Sequence, residues 1–297
     1  MTALRLAIIG DVHGCWDEAD TRYFNRAPYR AVLFVGDLAP LIGAVPTARK
    51  LAQLQVPAYL IPGNHDACGA LQFLAELRHR QHLAALLGMG QGLRVARLRR
   101  ALGPVKLVGY SLDLIDWDGR QLGLIAARPH SMGGDRLYFR SYLKRAFGVG
   151  SFEDSLARLR SLIDQAPQDL VFLSHNGPAG LGPLRDDIWG CDFRATAGDF
   201  GDPDLQDAIH YARQRGKVVH AVVAGHMHHR VKGGGLPRHW QLERDGVLYT
   251  NAARVPRVHG KAPGQLRHHL ALTLDHDGAR VDELWIDAQG RAATLRK

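Results

Sequence analysis

Five short polar clusters stand along the chain, each closing an apolar run. They are DVHG (Asp11, His13), GD (Asp37), GNHD (Asn64, His65, Asp66), SHNGP (His175) and GHMHH (His226, His228, His229). Imidazole nitrogens mixed with carboxylate and amide oxygens suit Mn, Fe or Zn better than Ca or Mg. In an extended segment, side chains two apart point the same way, so one ion can take Asp11 with His13, and the same argument applies to HMH. His229 then faces away and is read as a non-ligand. Asp37 stands alone after its run, with two oxygens that two ions can share. Two ions roughly 3.5–4 Å apart would activate a bridging water and clamp the leaving oxygen of a phosphoryl displacement. Taken singly, each cluster has a plainer reading. His175, at the end of DLVFLSH, fits a core histidine with a satisfied ring as well as it fits a ligand. Gly10, Gly36, Gly63 and Gly225 beside the clusters allow tight turns and close backbone approach.

Clusters so far apart in sequence can act together only if the elements aim them at one point. In open α/β sheets, ligands bind beyond the carboxyl ends of the strands. The first third alternates strand-like runs that end in glycine (LRLAIIG, AVLFVG, AYLIPG) with helical segments (CWDEADTRYFNRA, AVPTARKLAQLQ), and Cys68 to Leu87 reads as one long helix. That alternation predicts parallel βαβ units. RVARL, KLVGY and QLGLIAA read as short strands in a hairpin arrangement. Helix (SFEDSLARLRSLIDQA), strand (DLVFLSH), helix (DPDLQDAIHYARQRG) and strand (VVHAVVAG) follow, and WQLE, VLYTNAA, LALTLD and RVDELWID read as antiparallel strands. With no internal repeat and no low-complexity linker, residues 1–297 are expected to form one α/β domain of two packed mixed sheets with helices outside.

In the order D-x-H, G-D, G-N-H-D, H and G-H-x-H, the five motifs resemble the calcineurin-like metallophosphoesterase superfamily over roughly the first 230 residues. ARPHSMGG and GDFGDPDL are similar to a subgroup found mostly in photosynthetic lineages. The resemblance implies a four-layer α/β/β/α sandwich of two mixed β-sheets flanked by helices. It implies two divalent metal ions per chain, Mn foremost with Fe or Zn as alternatives. Asp11, His13, Asp37 and His228 would hold the first ion, and Asp37, Asn64, His175 and His226 the second, with Asp37 bridging. His65 would stand beside the metals and assist the leaving oxygen, while Asp66 completes its motif without binding. The implied activity is hydrolysis of a phosphomonoester or phosphodiester by a metal-bridging hydroxide. One departure stands out: in GDLAPLIG, Pro40 and Leu41 replace the aspartate and phosphate-binding arginine of phosphoprotein-phosphatase relatives, which argues against that class. The rival reading is a non-catalytic binding or scaffold module on the same fold. Retention of every ligand position together with His65 argues against it.

The net charge of +9 favours acidic partners or substrates, or simply aids solubility. No long apolar run is present, so no membrane partner is expected, and the N-terminus MTALRLAIIG lacks the marks of a signal peptide. Cys15, Cys68 and Cys191 form no paired framework, and a cytoplasmic location is expected. Arg128 and His130, with Ser131, lie in a glycine-rich turn that could bring a guanidinium to the phosphate, and Arg254 and Arg257 follow a later strand. These residues could equally be ordinary loop or surface side chains. Segments 128–150 and 176–202 are expected to act as cap loops. DRLYFRSYLKRAF interleaves basic and aromatic residues, as single-stranded nucleic acid would require. Helices that simply pack use the same mixture, so nucleic acid is not the favoured partner. His79 and His82 are read as solvated, and Cys15 and Cys68 as thiols that a redox switch could pair if the two loops meet.

Overall fold

The computed structural model describes residues 3–39, 43–194, 196, 198–232, 234–261 and 264–294. Pro40 and Leu41, and the argument resting on them, lie outside the described residues. The chain opens with four parallel strands, β1 (Leu4–Ile9), β2 (Ala31–Phe34), β3 (Ala58–Leu60) and β4 (Lys106–Leu107). Their connections hold α1 (Glu18–Phe24), α2 (Val45–Leu51), α3 (Ala70–Leu77), α4 (Gln81–Leu87) and α5 (Gln91–Leu102). A second sheet follows, made of β5 (Ser111–Trp117), β6 (Arg120–Ala126), β7 (Asp169–Leu173), β8 (Val218–Ala224), β9 (Gln241–Arg244) and β10 (Val247–Asn251) in the order β5-β6-β7-β8-β10-β9. It carries α6 (Arg140–Phe147), α7 (Phe152–Gln165) and α8 (Pro203–Gln214). The chain then returns to the first sheet with β11 (Val258–His259), β12 (Leu266–Asp275), β13 (Gly278–Ile286) and β14 (Ala292–Ala293). That sheet runs β14-β13-β12-β1-β2-β3-β4, with β12 antiparallel to β1.

Side chains alternate across a strand, and here both faces of the central strands are apolar. Leu6, Ile8 and Leu33 face Leu122, Leu124, Val171 and Val223 of the other sheet, forming a core between the sheets. On the opposite face of the first sheet, Ala7, Ile9, Val32 and Phe34 pack on Trp16, Phe24, Leu51 and Leu98. On the outer face of the second, Ile125, Phe172 and Val222 pack on Leu159 and Ile163 of α7 and Leu205 and Ile209 of α8. Three cores separate four layers, so the fold is the α/β/β/α sandwich of two mixed sheets. The helix starts follow local chemistry. Asp17 caps α1 with a reciprocal box to Asp20, Ser151 caps α7, and Pro203 opens α8.

Three local readings change. RVARL belongs to α5, where Val95, Leu98 and Leu102 are buried at helical spacing. The hairpin of the middle region is β5–β6, joined by Asp118-Gly119, whereas KLVGY holds only the two residues of β4. The segment from Cys68 to Leu87 breaks into α3 and α4 around His79, whose φ of 56° no α-helix accommodates.

Candidate metal centre and its cleft

Each polar cluster follows the carboxyl end of a parallel strand: β1, β2 and β3 in one sheet, β7 and β8 in the other. Their side chains meet in two adjacent groups. In the first, Asp11 Oδ2 lies 3.9 Å from His13 Nε2 and 3.5 Å from His228 Nε2, and the two imidazole nitrogens are 3.3 Å apart. In the second, His175 Nε2 lies 3.6 Å from Asp37 Oδ2, 2.8 Å from Asn64 Oδ1 and 3.2 Å from His226 Nδ1. The His226 amide donates to Asp11 Oδ1 at 3.2 Å and ties the groups together. His65 stands beside both, its Nε2 4.0 Å from Asp37 Oδ2 and its ring 5.9 Å from that of His13. Its amide donates to Asp37 Oδ1 at 3.0 Å.

The proton positions that these contacts favour leave lone pairs aimed inward. His13 Nδ1 sits 3.1 Å from the Ala39 carbonyl and His175 Nδ1 2.6 Å from the Val35 carbonyl. Each Nδ1–H therefore donates to backbone, leaving Nε2 as an acceptor turned to the cluster. Asp11 Oδ2 is buried without a hydrogen-bond donor. A carboxylate oxygen and several imidazole lone pairs facing one another repel unless a cation lies among them, so the donor set fits divalent metal ions.

Electrostatics tell the same story. Burial pushes the Asp11 carboxyl up, but the neighbouring imidazoles of His228, His175 and His13 outweigh it and hold it well below the usual carboxylate range. Burial pushes His226 down to about 3, so it is neutral and able to donate a lone pair. His13, Asp37 and His226 have φ of 44°, 49° and 69°, in the left-handed region that non-glycine residues avoid, and such strain collects at functional sites.

The supporting residues were less visible in the sequence. Asp66 Oδ1 accepts from the Leu38 amide and Oδ2 from the Gly63 amide, both at 2.9 Å, stapling the second cluster loop to the third. Asn251 donates to the Met227 and Ile188 carbonyls, and Arg238 donates to the His228 carbonyl at 3.0 Å. Both fix the GHMHH loop through backbone contacts that no motif announces. His229 turns away from the cluster, its Nε2 2.8 Å from the Asn251 carbonyl. A Cβ on Gly63 would stand 2.1 Å from Asp37 Oδ1, so the loop can approach this carboxylate only as glycine.

A cleft of about 630 Å³ opens over Asp37, Asn64, His65, His226 and His228. Its lining mixes apolar Phe73, Met132, Tyr138, Phe193 and Phe200 with Arg194, Arg230 and Lys232, and Arg194 lies over the Phe200 ring and Lys232 over that of Phe193. Segments 128–150 and 176–202 both contribute to this lining. The expected phosphate-binding residues lie elsewhere. Arg128 is buried, 2.8 Å from Asp202 and 2.9 Å from Asp204, because a guanidinium matches any planar oxyanion and here meets carboxylates. His130 is buried against Phe139 and Tyr142, its Nδ1 2.9 Å from the Gly63 carbonyl. Arg254 pairs with Glu283 at 3.0 Å and stacks on Trp285; Arg257 is buried on Asp20. Arg128 and Ser131 join ARPHSMGG to GDFGDPDL, since Ser131 also donates to Asp202 at 2.7 Å. In DRLYFRSYLKRAF, Tyr138, Phe139 and Tyr142 are buried, so these rings offer nucleic acid no stacking platform. Cys68 donates to the Asn64 carbonyl, and burial pushes its thiol up to about 12, against a redox role.

No curated protein matches the chain. One crystal structure aligns over 95% of this chain and 99% of its own, with 10% identity and a TM-score of 0.52. A crystal structure of TT1561 of Thermus thermophilus aligns over 95% and 99%, with 13% identity and a TM-score of 0.47. A novel archaeal phosphodiesterase aligns over 95% and 100%, with 10% identity and a TM-score of 0.40. The first of these supports the fold. The sequence profile described as calcineurin-like phosphoesterase matches residues 4–230, and the chain belongs to that family.

Proposed function

We propose that this protein is a dinuclear metal-dependent phosphoesterase that hydrolyses a phosphomonoester or phosphodiester. The observation that carries the reading is the pair of adjacent three-residue donor groups, Asp11–His13–His228 and Asp37–His175–His226, beside His65, with Asp37, His65, His226 and His228 lining one cleft. Asn64, close to His175 and His226, would complete the second donor set, and Asp37 would serve both. Divalent ions, Mn foremost and Fe or Zn otherwise, would acidify a water and neutralise charge on the phosphoryl oxygens. The chain's own residues do the rest. Val35 and Ala39 carbonyls hold the rings of His175 and His13 in orientation. His65, oriented through Asp37 and tilted against the Phe73 ring, would give a proton to the leaving oxygen. Arg230 and Lys232, exposed on the cleft wall, would meet the phosphate in place of the absent motif arginine. The apolar part of the lining favours an ester carrying an aromatic or other apolar group.

Hydrolysis of p-nitrophenyl phosphate and bis-p-nitrophenyl phosphate with added Mn, by the protein and by His65→Asn, tests this reading. Turnover that His65→Asn lowers at unchanged metal content supports it. Bound metal with turnover indifferent to His65 would return the binding-module reading.

A further inference from the structure

One corner of the molecule exposes apolar surface that none of the described residues covers. Leu71 is 68% exposed, Leu86 58%, Met89 68% and Leu93 70%, with Leu74 and Leu83 above 40%. They lie on α3, α4, the turn after it and the start of α5. On α3, Leu71 and Leu74 share the outer face at helical spacing, and Leu83 and Leu86 do so on α4. Contiguous apolar exposure of this kind marks a contact surface.

The charge around it is almost all positive, the exception being the half-buried Glu76 of α3. From Leu77 to Leu112 the sequence holds no Asp or Glu, but it holds six arginines, Lys106 and two histidines. Among the described residues, the one ion pair made by that stretch is Lys106 with Asp113. Arg78 and Arg80 stand exposed at the break between α3 and α4. A hollow of about 540 Å³ there is lined by His79, Arg80, Gln81, His82 and Leu83, so donors and cations surround a space of headgroup size. Exposed leucines beside unneutralised arginines are the composition of a surface that lies on a charged bilayer, with the apolar side chains among the acyl boundary and the cations at anionic headgroups. A partner protein of ordinary composition would supply apolar contact but no sheet of negative charge.

We propose that the α3–α4 hairpin and the turn after it dock onto the surface of an anionic lipid bilayer. This needs no spanning segment, and among the described residues no helix is long and apolar enough to cross a membrane. Phe73, Leu77 and His79 border both this corner and the catalytic cleft, so docking would bring the cleft mouth toward the headgroups. The docking itself does not depend on the cleft being a hydrolase.

The test is co-sedimentation of the full chain with phosphatidylcholine vesicles, with and without phosphatidylglycerol, at low and high salt. The protein should pellet with the phosphatidylglycerol vesicles and not with phosphatidylcholine alone. Leu83→Glu with Leu86→Glu, both at exposed positions outside the cleft, should cut binding by about tenfold or more. Arg80→Glu should weaken it and reduce its salt dependence. An unchanged melting temperature would show that these variants fold. No pelleting at low salt would overturn the proposal. Binding that the leucine variants leave intact would do the same, since it would reflect net charge alone. Dimerisation without lipid that Leu86→Glu abolishes would assign the surface to a second copy instead.

Discussion

His65 is fixed from three directions: its amide donates to Asp37, its ring lies 4.8 Å from Phe73, and its Nε2 faces the Asp37 carboxylate. Acid assistance by such a positioned group contributes about 10²–10⁴-fold. His65→Asn should therefore lower kcat by about that factor with metal content unchanged, which steady-state kinetics beside metal analysis would read. Arg230→Ala should raise KM severalfold with a smaller change in kcat, because its exposed guanidinium would bind the phosphate equally before and during reaction. Equal kinetics in the variant would remove Arg230 from the site. At this scale the donor residues were readable, since short strand-end motifs keep them together in sequence. The cations of the cleft were not. Arg194 and Lys232 reach it from loops whose path depends on the packed sheets, and the Arg128 guanidinium finds Asp202 and Asp204 instead of phosphate.

The elements owe their arrangement to apolar runs that the sequence displays openly, which is why the βαβ alternation and the strand ends were legible. Boundaries set by single backbone conformations were not. The break at His79 rests on one left-handed backbone conformation, and the helical state of RVARL on burial of Val95, Leu98 and Leu102, which periodicity in so short a window leaves ambiguous. Two links between elements have measurable consequences. Arg128 joins β6 to α8 through a buried ion pair, so Arg128→Met, which strands Asp202 and Asp204, should cost about 3–5 kcal/mol in urea unfolding. Were Arg128 a phosphate-binding residue, the substitution would instead raise KM at unchanged stability. Asp66→Ala removes acceptors from two buried amides and should lower both stability and metal affinity.

For the whole molecule, stability depends on histidines that folding keeps neutral. Burial, with the charge of Arg257 and other cations, holds His269 well below its ordinary value of 6.5, and burial pushes His130 down to about 4. The unfolded chain takes up protons at these groups below about pH 6.5 while the folded chain does not. Each of these histidines therefore contributes stability that is full above that pH and falls as pH drops toward its folded value, by up to about 1.4 kcal/mol per pH unit. Asp66, Glu76 and Asp202, whose carboxyls burial pushes up to about 7, 7 and 6, contribute in the opposite sense over the same range. Urea unfolding of the metal-depleted protein and of His269→Phe between pH 7.5 and 5 therefore reads the His269 share as the difference between the two slopes, and identical slopes would contradict it.

The cleft itself belongs to the whole molecule, because β1, β2 and β3 bring donors from one sheet and β7 and β8 from the other. Together these donors would form one dinuclear hydrolytic centre. Ester hydrolysis followed against Mn bound per chain, starting from metal-depleted protein, reads this directly. Two ions should bind and turnover should appear as the pair fills, with His175→Ala losing both the second ion and the rate. Less than one ion per chain after reconstitution, or turnover independent of bound metal, would contradict it.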